Sequence, residues 1–154
     1  MVDALMDAVG QAPNRQWNPY TETYARRDFR HRLMSASRGE LTPVDHVKHM
    51  ETPLVADLFE IRWSKVNVAE LDAKGRERGR PVEARLLHAE PDAMGGCAIG
   101  LHAHEKVIVR NDARATRAAQ DAEIATAVSV YATAVPALLR KSPACGLRRD
   151  AGTQ

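Results

Sequence analysis

The sequence predicts an α+β protein: two N-terminal helices, a small antiparallel sheet of three to five strands, and a C-terminal helix. Helical apolar spacing appears early and late in the chain, and period-two alternation occupies the middle. Turn-forming residues, not crossover helices, separate the alternating segments. Sequential strands joined by turns favour an antiparallel sheet with helices segregated to one side or end.

With 154 residues the chain can build one core without staples. It reads as an irregular N-terminal extension (1–19), a single domain (20–136) and a flexible C-terminal tail (137–154). Pro13 and Pro19 interrupt the extension, which has room for a short helix at 2–9. Ala25, Phe29 and Leu33 give 20–38 a helical stripe, Gly39 is its C-cap, and the arginines mostly fall off that stripe. Thr42, Pro43 and Asp45 are start signals for a second helix, which Pro53 ends. In DLFEIRW (57–63), Phe59, Ile61 and Trp63 share one strand face, and Leu58, Glu60 and Arg62 share the other. Residues 64–81 are polar and read as a long loop or loose hairpin tip; 82–90 and 97–109 are strands, with PDAMGG a turn between them. Residues 112–135 are the last helix, with Ile124, Val128, Tyr131 and Val135 on one face and Pro136 closing or kinking it.

Composition narrows the function. Hydrophobic residues at 44% argue against global disorder, and aromatic residues at 5% argue against a base-stacking platform. The net charge of +2 hides basic clusters: Arg26, Arg27, Arg30, Arg32 and Arg38; Arg76, Arg78 and Arg80; and Lys106, Arg110, Arg114 and Arg117. Such patches hold a phosphate backbone or simply solubilise the surface. Cys97 and Cys145 make neither a metal spacing nor a disulfide framework, so a reduced cytoplasmic setting is expected. No run approaches a membrane span, and the acidic start lacks the basic region of a signal peptide.

The chemistry centres on GLHAHEK (100–106). Period two puts Gly100, His102, His104 and Lys106 on one face, with Ile99, Leu101 and Ala103 on the other. Arg62 and Arg85 on neighbouring strands are candidates for the same surface. Two histidines at i and i+2 can grip one ion, and Gly96, His102 and His104 are spaced like the opening of the cupin metal motif. That motif continues to a Glu where Ile108 and Val109 stand, and Glu105 points to the opposite face, so no metal is expected. The competing chemistry is metal-free phosphodiester cleavage. There, fixed cations neutralise a phosphorane and histidine moves a proton near neutral pH. The plain alternative is a wet sheet face with no chemistry.

Four ordered segments, HVKHMETPLVADLFEIRW, Arg85 with LLHAEP, GLHAHEK and DAEIATAVSVY, together resemble the RelE/ParE toxin superfamily, specifically its phage-derived, HigB-like branch. HVKHMETPLVADLFEIRW resembles the family's short basic helix and first hairpin strand; Arg85 with LLHAEP resembles the next strand. GLHAHEK resembles the family's "lLHaFxKK" strand, and DAEIATAVSVY its terminal helix. The resemblance spans roughly residues 25–132. It implies an mRNA endoribonuclease, acting on the ribosome by 2′-hydroxyl attack without cofactor or metal. It also implies a cognate helix-turn-helix antitoxin and a cytoplasmic location. By position, Arg62, Arg85, His102 and Lys106 are the implied catalytic residues, with His104 and Tyr131 as further candidates. Arg76, Arg78, Arg80, Arg110, Arg114 and Arg117 are the implied RNA-binding set. The chain departs from the family at His104, where the family has an aromatic, and at Val107, where the family has a second lysine. The alternatives are a non-catalytic phage or prophage module that binds a host protein or RNA, and an HxH metal-dependent enzyme.

Overall fold

The computed structural model describes residues 1–43, 45–52, 55, 57–92 and 97–141. Its elements are α1 (Val2–Gly10), β1 (Arg15–Gln16), α2 (Pro19–Ser37), β2 (Val47–His49), β3 (Leu58–Leu71), β4 (Glu77–Ala89), β5 (Ile99–Glu105) and α3 (Ala113–Lys141). The strands form one antiparallel sheet in the order β1-β3-β4-β5. The short β2 shares with β1 the edge of β3 that β4 leaves open. The α+β class predicted from the sequence is therefore the observed one.

The helices lie on both faces of the sheet, not on one side as expected. Leu5, Met6 and Val9 of α1 and Ala25 and Phe29 of α2 bury against Ile61, Trp63, Val66, Val82, Ala84 and Leu86. On the opposite face Leu58, Leu87, Ala89 and Leu101 bury against Ala127 of α3. Leu86 and Leu87 are sequence neighbours in different cores, as alternation along a strand demands. Trp63 anchors the first core, edge-on to Phe29 at 5.2 Å between centroids, a geometry worth about 0.5–1.5 kcal/mol beyond area burial. The Arg32 guanidinium lies 5.7 Å from the centre of the same indole.

The N-terminal extension belongs to the fold. Three buried residues in α1 are too few for periodicity alone to declare a helix, and a helix of this length needs a surface to pack on. Arg15 secures it further, with its side chain 3% exposed. It bonds Glu70 of β3 at 2.8 Å and also pairs with Glu105 of β5 and the Val9 carbonyl of α1. Glu105 faces away from its histidine neighbours, as the alternation predicts. Asn18 caps α2 by accepting from the Thr21 amide at 2.9 Å. Gly39 ends it with φ +71°, while Glu40 N–H donates to Ser35 O at 2.9 Å and Gly39 N–H to Ala36 O at 3.0 Å. These are the two bonds of a Schellman motif.

The helix expected from Thr42 is replaced by β2. The cap signals produce a single turn, with His46 N–H donating to Thr42 O at 3.0 Å, and the chain then pairs with β3 through Val47, Lys48 and His49. The segment has no apolar helical stripe to bury, so pairing wins. Val44 and Pro53 lie outside the described residues. The long loop or loose hairpin tip expected over 64–81 is an ordered, long hairpin. β3 runs on to Leu71, β4 begins at Glu77, and Asp72 accepts from the Lys74 and Arg76 amides at the tip, where Gly75 takes φ +71°. Val66 and Val68 carried the alternation signal, but the opposite stretch, 77–81, is exposed on both faces and reads as polar loop. Pro81 falls beyond the reach of β5, where β4 is an edge. The third strand is shorter than 97–109: Val107, Ile108 and Val109 are exposed and outside the ladder. Residues 93–96 of the expected turn lie outside the described residues, as do 142–154 of the expected tail. α3 continues through Pro136 to Lys141.

His88 in β4 is buried beside Glu90 (3.0 Å) and stacked on Phe59, whose other neighbour is His49. Burial holds its pKa below the ordinary value of 6.5, against a smaller opposing pull from the Glu90 carboxylate. The unfolded chain therefore takes up a proton first on acidification. The stability this provides is full above about pH 6.5 and is lost as pH falls from there toward the folded pKa. Urea unfolding midpoints should drop between about pH 7.5 and about pH 5.5, and the drop should be smaller in His88→Gln.

Candidate active site

The two sheet faces carry different chemistry because β5 contains a bulge. Leu87 pairs with His102 and His88 with Gly100, so β5 places one extra residue between these pairs. The strand turns over at that point. Leu101 and His102 thus both face α3, although strict alternation would separate them. Beyond the bulge the alternation resumes, and His104 and Lys106 stay on the α3 side.

Cross-strand register then assembles the site. Arg62 pairs with Arg85, and Arg85 with His104, which makes one lateral row across β3, β4 and β5. The adjacent row runs Lys48, Glu60, Leu87, His102 from β2 to β5. Above these rows α3 presents Thr116, Gln120 and Glu123. Thr116, Gln120, Glu123 and Ala127 recur at helical spacing, so one stripe faces the sheet, polar over the cations and apolar over the core. Between sheet and helix lies a cleft of about 160 Å³. That is below the roughly 300 Å³ at which enclosed small-molecule pockets begin, so the cleft admits a phosphate-sized group but does not engulf a nucleotide.

Ion pairs set the electrostatics. The Glu60 carboxylate is buried, with Oε2 2.7 Å from Arg62 Nε and 3.7 Å from Arg85 Nε. Glu83 pairs with Arg85 and stands 3.3 Å from Lys106 Nζ. Arg85 also donates to the Trp63 and Ala84 carbonyls at 3.3 and 3.0 Å, and its side chain is 7% exposed. It is a positioning residue that holds both carboxylates. Arg62 and Lys106 are more open, at 23% and 36% side-chain exposure, and Lys48 is exposed at the rim.

His104 forms part of the cleft wall, with His102 stacked behind it. Their rings stack at 5.5 Å with 13° between planes. His102 Nε2 lies 2.5 Å from Glu123 Oε2, while His104 is buried and its Nδ1 has no hydrogen-bond partner among the described residues. Burial holds the His104 pKa below its ordinary value, with Glu123 opposing that effect and His102 adding to it. One ring nitrogen from each histidine and a carboxylate oxygen of Glu123 lie within 4.8 Å of one another. The third ligand that the sequence lacked after His104 is thus offered by α3.

The structure brings Arg62, Arg85, His104 and Lys106 into the cleft, while His102 does not line it and contacts Glu123, which does. Tyr131, roughly two turns beyond Glu123, packs in the second core instead. Arg76, Arg78 and Arg80 sit on the β3–β4 tip in ion pairs with Asp72 and Glu70 and do not line the cleft. Arg110, Arg114 and Arg117 are exposed around the start of α3 and make no ion pair among the described residues. Sequence reasoning missed Lys48, Glu60, Glu83 and Glu123. Only the helical stripe through Glu123 was readable in advance. Compared with protein-family models, curated proteins and solved structures, the chain matches none.

Removing Glu60's charge should expose its role. Glu60→Gln leaves two closely spaced guanidinium groups without their shared carboxylate. Breaking a buried pair from one side costs on the order of 3 kcal/mol. Denaturant unfolding should show a loss of that size, with the far-ultraviolet spectrum unchanged before the transition.

Proposed function

We propose that the protein is the toxin of a type II toxin–antitoxin pair, an endoribonuclease that cuts mRNA on the ribosome. The observation that carries this reading is the gathering of Arg62, Lys106, Lys48 and His104 around one phosphate-sized cleft, with Glu123, the partner of His102, also in its lining. An RNA phosphodiester supplies its own nucleophile. The 2′-oxygen attacks phosphorus, the bond to the 5′-oxygen breaks, and the products end in a 2′,3′-cyclic phosphate and a 5′-hydroxyl. The protein must align the phosphate, neutralise the phosphorane and move a proton to the leaving oxygen. Arg62 and Lys106 supply fixed charge at the cleft. His102 takes the proton from the 2′-hydroxyl and returns one to the leaving 5′-oxygen, and the Glu123 carboxylate orients its ring, as a carboxylate does in a catalytic triad. Arg85 acts through Glu60 and Glu83 by fixing where the other cations point. The exposed Arg110, Arg114 and Arg117 extend a basic surface past the cleft for the RNA backbone. No helix among the described residues is long and apolar enough to cross a membrane. In this reading the protein works in the cytoplasm, and its partner is a small helix-turn-helix antitoxin encoded alongside it.

Expression in a bacterial host should arrest growth and translation, and co-expression of the neighbouring small gene should relieve the arrest. Arg62→Ala and Lys106→Ala should each lower mRNA cleavage by about 100-fold, the usual effect of removing one transition-state charge contact. Circular dichroism confirms that each variant is folded. If both folded variants cleave like the parent, the site is wrong. If the parent binds RNA or a host protein without cleaving message, the protein is a non-catalytic module.

A further inference from the structure

We propose that His102, His104 and Glu123 form a binding site for a divalent first-row transition metal, with zinc the best match. Three donor atoms, two imidazole nitrogens and one carboxylate oxygen, lie within 4.8 Å of one another. Tetrahedral zinc with bonds of about 2.1 Å wants its ligand atoms about 3.4 Å apart. Reaching that spacing requires the 2.5 Å contact between His102 and Glu123 to open and the wider separations, none above 4.8 Å, to close.

Several features of the site point the same way. The stacked, near-parallel rings result from an i, i+2 spacing downstream of the bulge, which aims both imidazoles toward α3. His104 is 8% exposed, and its buried Nδ1 makes no hydrogen bond among the described residues. A buried ring nitrogen with no partner is a costly arrangement that a metal bond would resolve. Two imidazoles and one carboxylate favour zinc and its neighbours over magnesium or calcium, which prefer all-oxygen shells. Three protein ligands would leave at least one coordination position open, and two of them, His104 and Glu123, line the same cleft as Arg62 and Lys106. An anionic oxygen ligand, such as a phosphate or a carboxylate, fits that position.

The site does not depend on the ribonuclease reading. It does constrain it, because an ion on His102 and Glu123 takes both from the proton transfer assigned to them there, so metal binding and that cleavage are alternative states of the same residues.

The test uses the full chain, stripped with chelator and titrated with Co²⁺ and with Zn²⁺. The expected result is one equivalent bound, the visible absorption of low-coordinate Co²⁺, and a rise in thermal midpoint on adding Zn²⁺. Glu123→Gln and His104→Ala should each weaken binding by roughly 100-fold or more, beyond what loss of an outer partner produces. His31→Ala, on the exposed side of α2, should bind like the parent. Glu123→Gln keeps the result interpretable if His104→Ala fails to fold. Binding unaffected by Glu123→Gln, binding lost equally in His31→Ala, or no saturable binding by the parent would each overturn the site.

Discussion

The cleft depends on the buried carboxylate of Glu60. A sheet face carrying Arg62 and Arg85 side by side would repel itself, and a guanidinium that is largely desolvated needs a counter-charge. Glu60 supplies it between the two, and Glu83 does the same between Arg85 and Lys106. The result is a floor of fixed ion pairs in which Arg85 is committed to structure while Arg62 and Lys106 keep access to the cleft. Any anion that enters must compete with carboxylates already in place. That arrangement favours a ligand with several charged oxygens over a single weak acid.

The bulge in β5 sets the second wall. Without it, Leu101 and His102 would fall on opposite faces, and either the second core would lose Leu101 or Glu123 would lose His102. One inserted residue lets the strand serve both. α3 answers with a divided stripe, with Ala127 over the leucines and Glu123, Gln120 and Thr116 over the histidines and cations. The polar site is therefore continuous with the packing that fixes the helix, and the His102–Glu123 contact ties α3 to β5.

Much of this was legible in the sequence. Phe29 in its helical stripe and the alternation of LFEIRW marked the elements, and Arg62, Arg85, His104 and Lys106 do converge. The features that escaped reading did so for physical reasons. The cap residues at Thr42 signal a turn but not the element after it, and β2 exists only because β3 offers an edge. Residues 77–81 lack an apolar face, so nothing local marks them as a strand. Glu60 looked like the polar half of an alternating strand, and its burial under α3 is a tertiary fact. Strict period two misplaced Leu101, because a bulge leaves little local signature. Glu123 reaches the histidines from 21 positions away, a distance along the chain that no spacing rule covers.

The central claim is that this cleft cuts RNA by the RNA's own 2′-hydroxyl. The direct measurement adds purified protein to ribosomes programmed with a defined mRNA, maps the cut, and repeats the reaction with a 2′-deoxy sugar at the mapped position. Cleavage leaving a 2′,3′-cyclic phosphate on the ribose message, and none on the deoxy message, is the predicted result. An intact ribose message, or a deoxy message cut equally well, would contradict it.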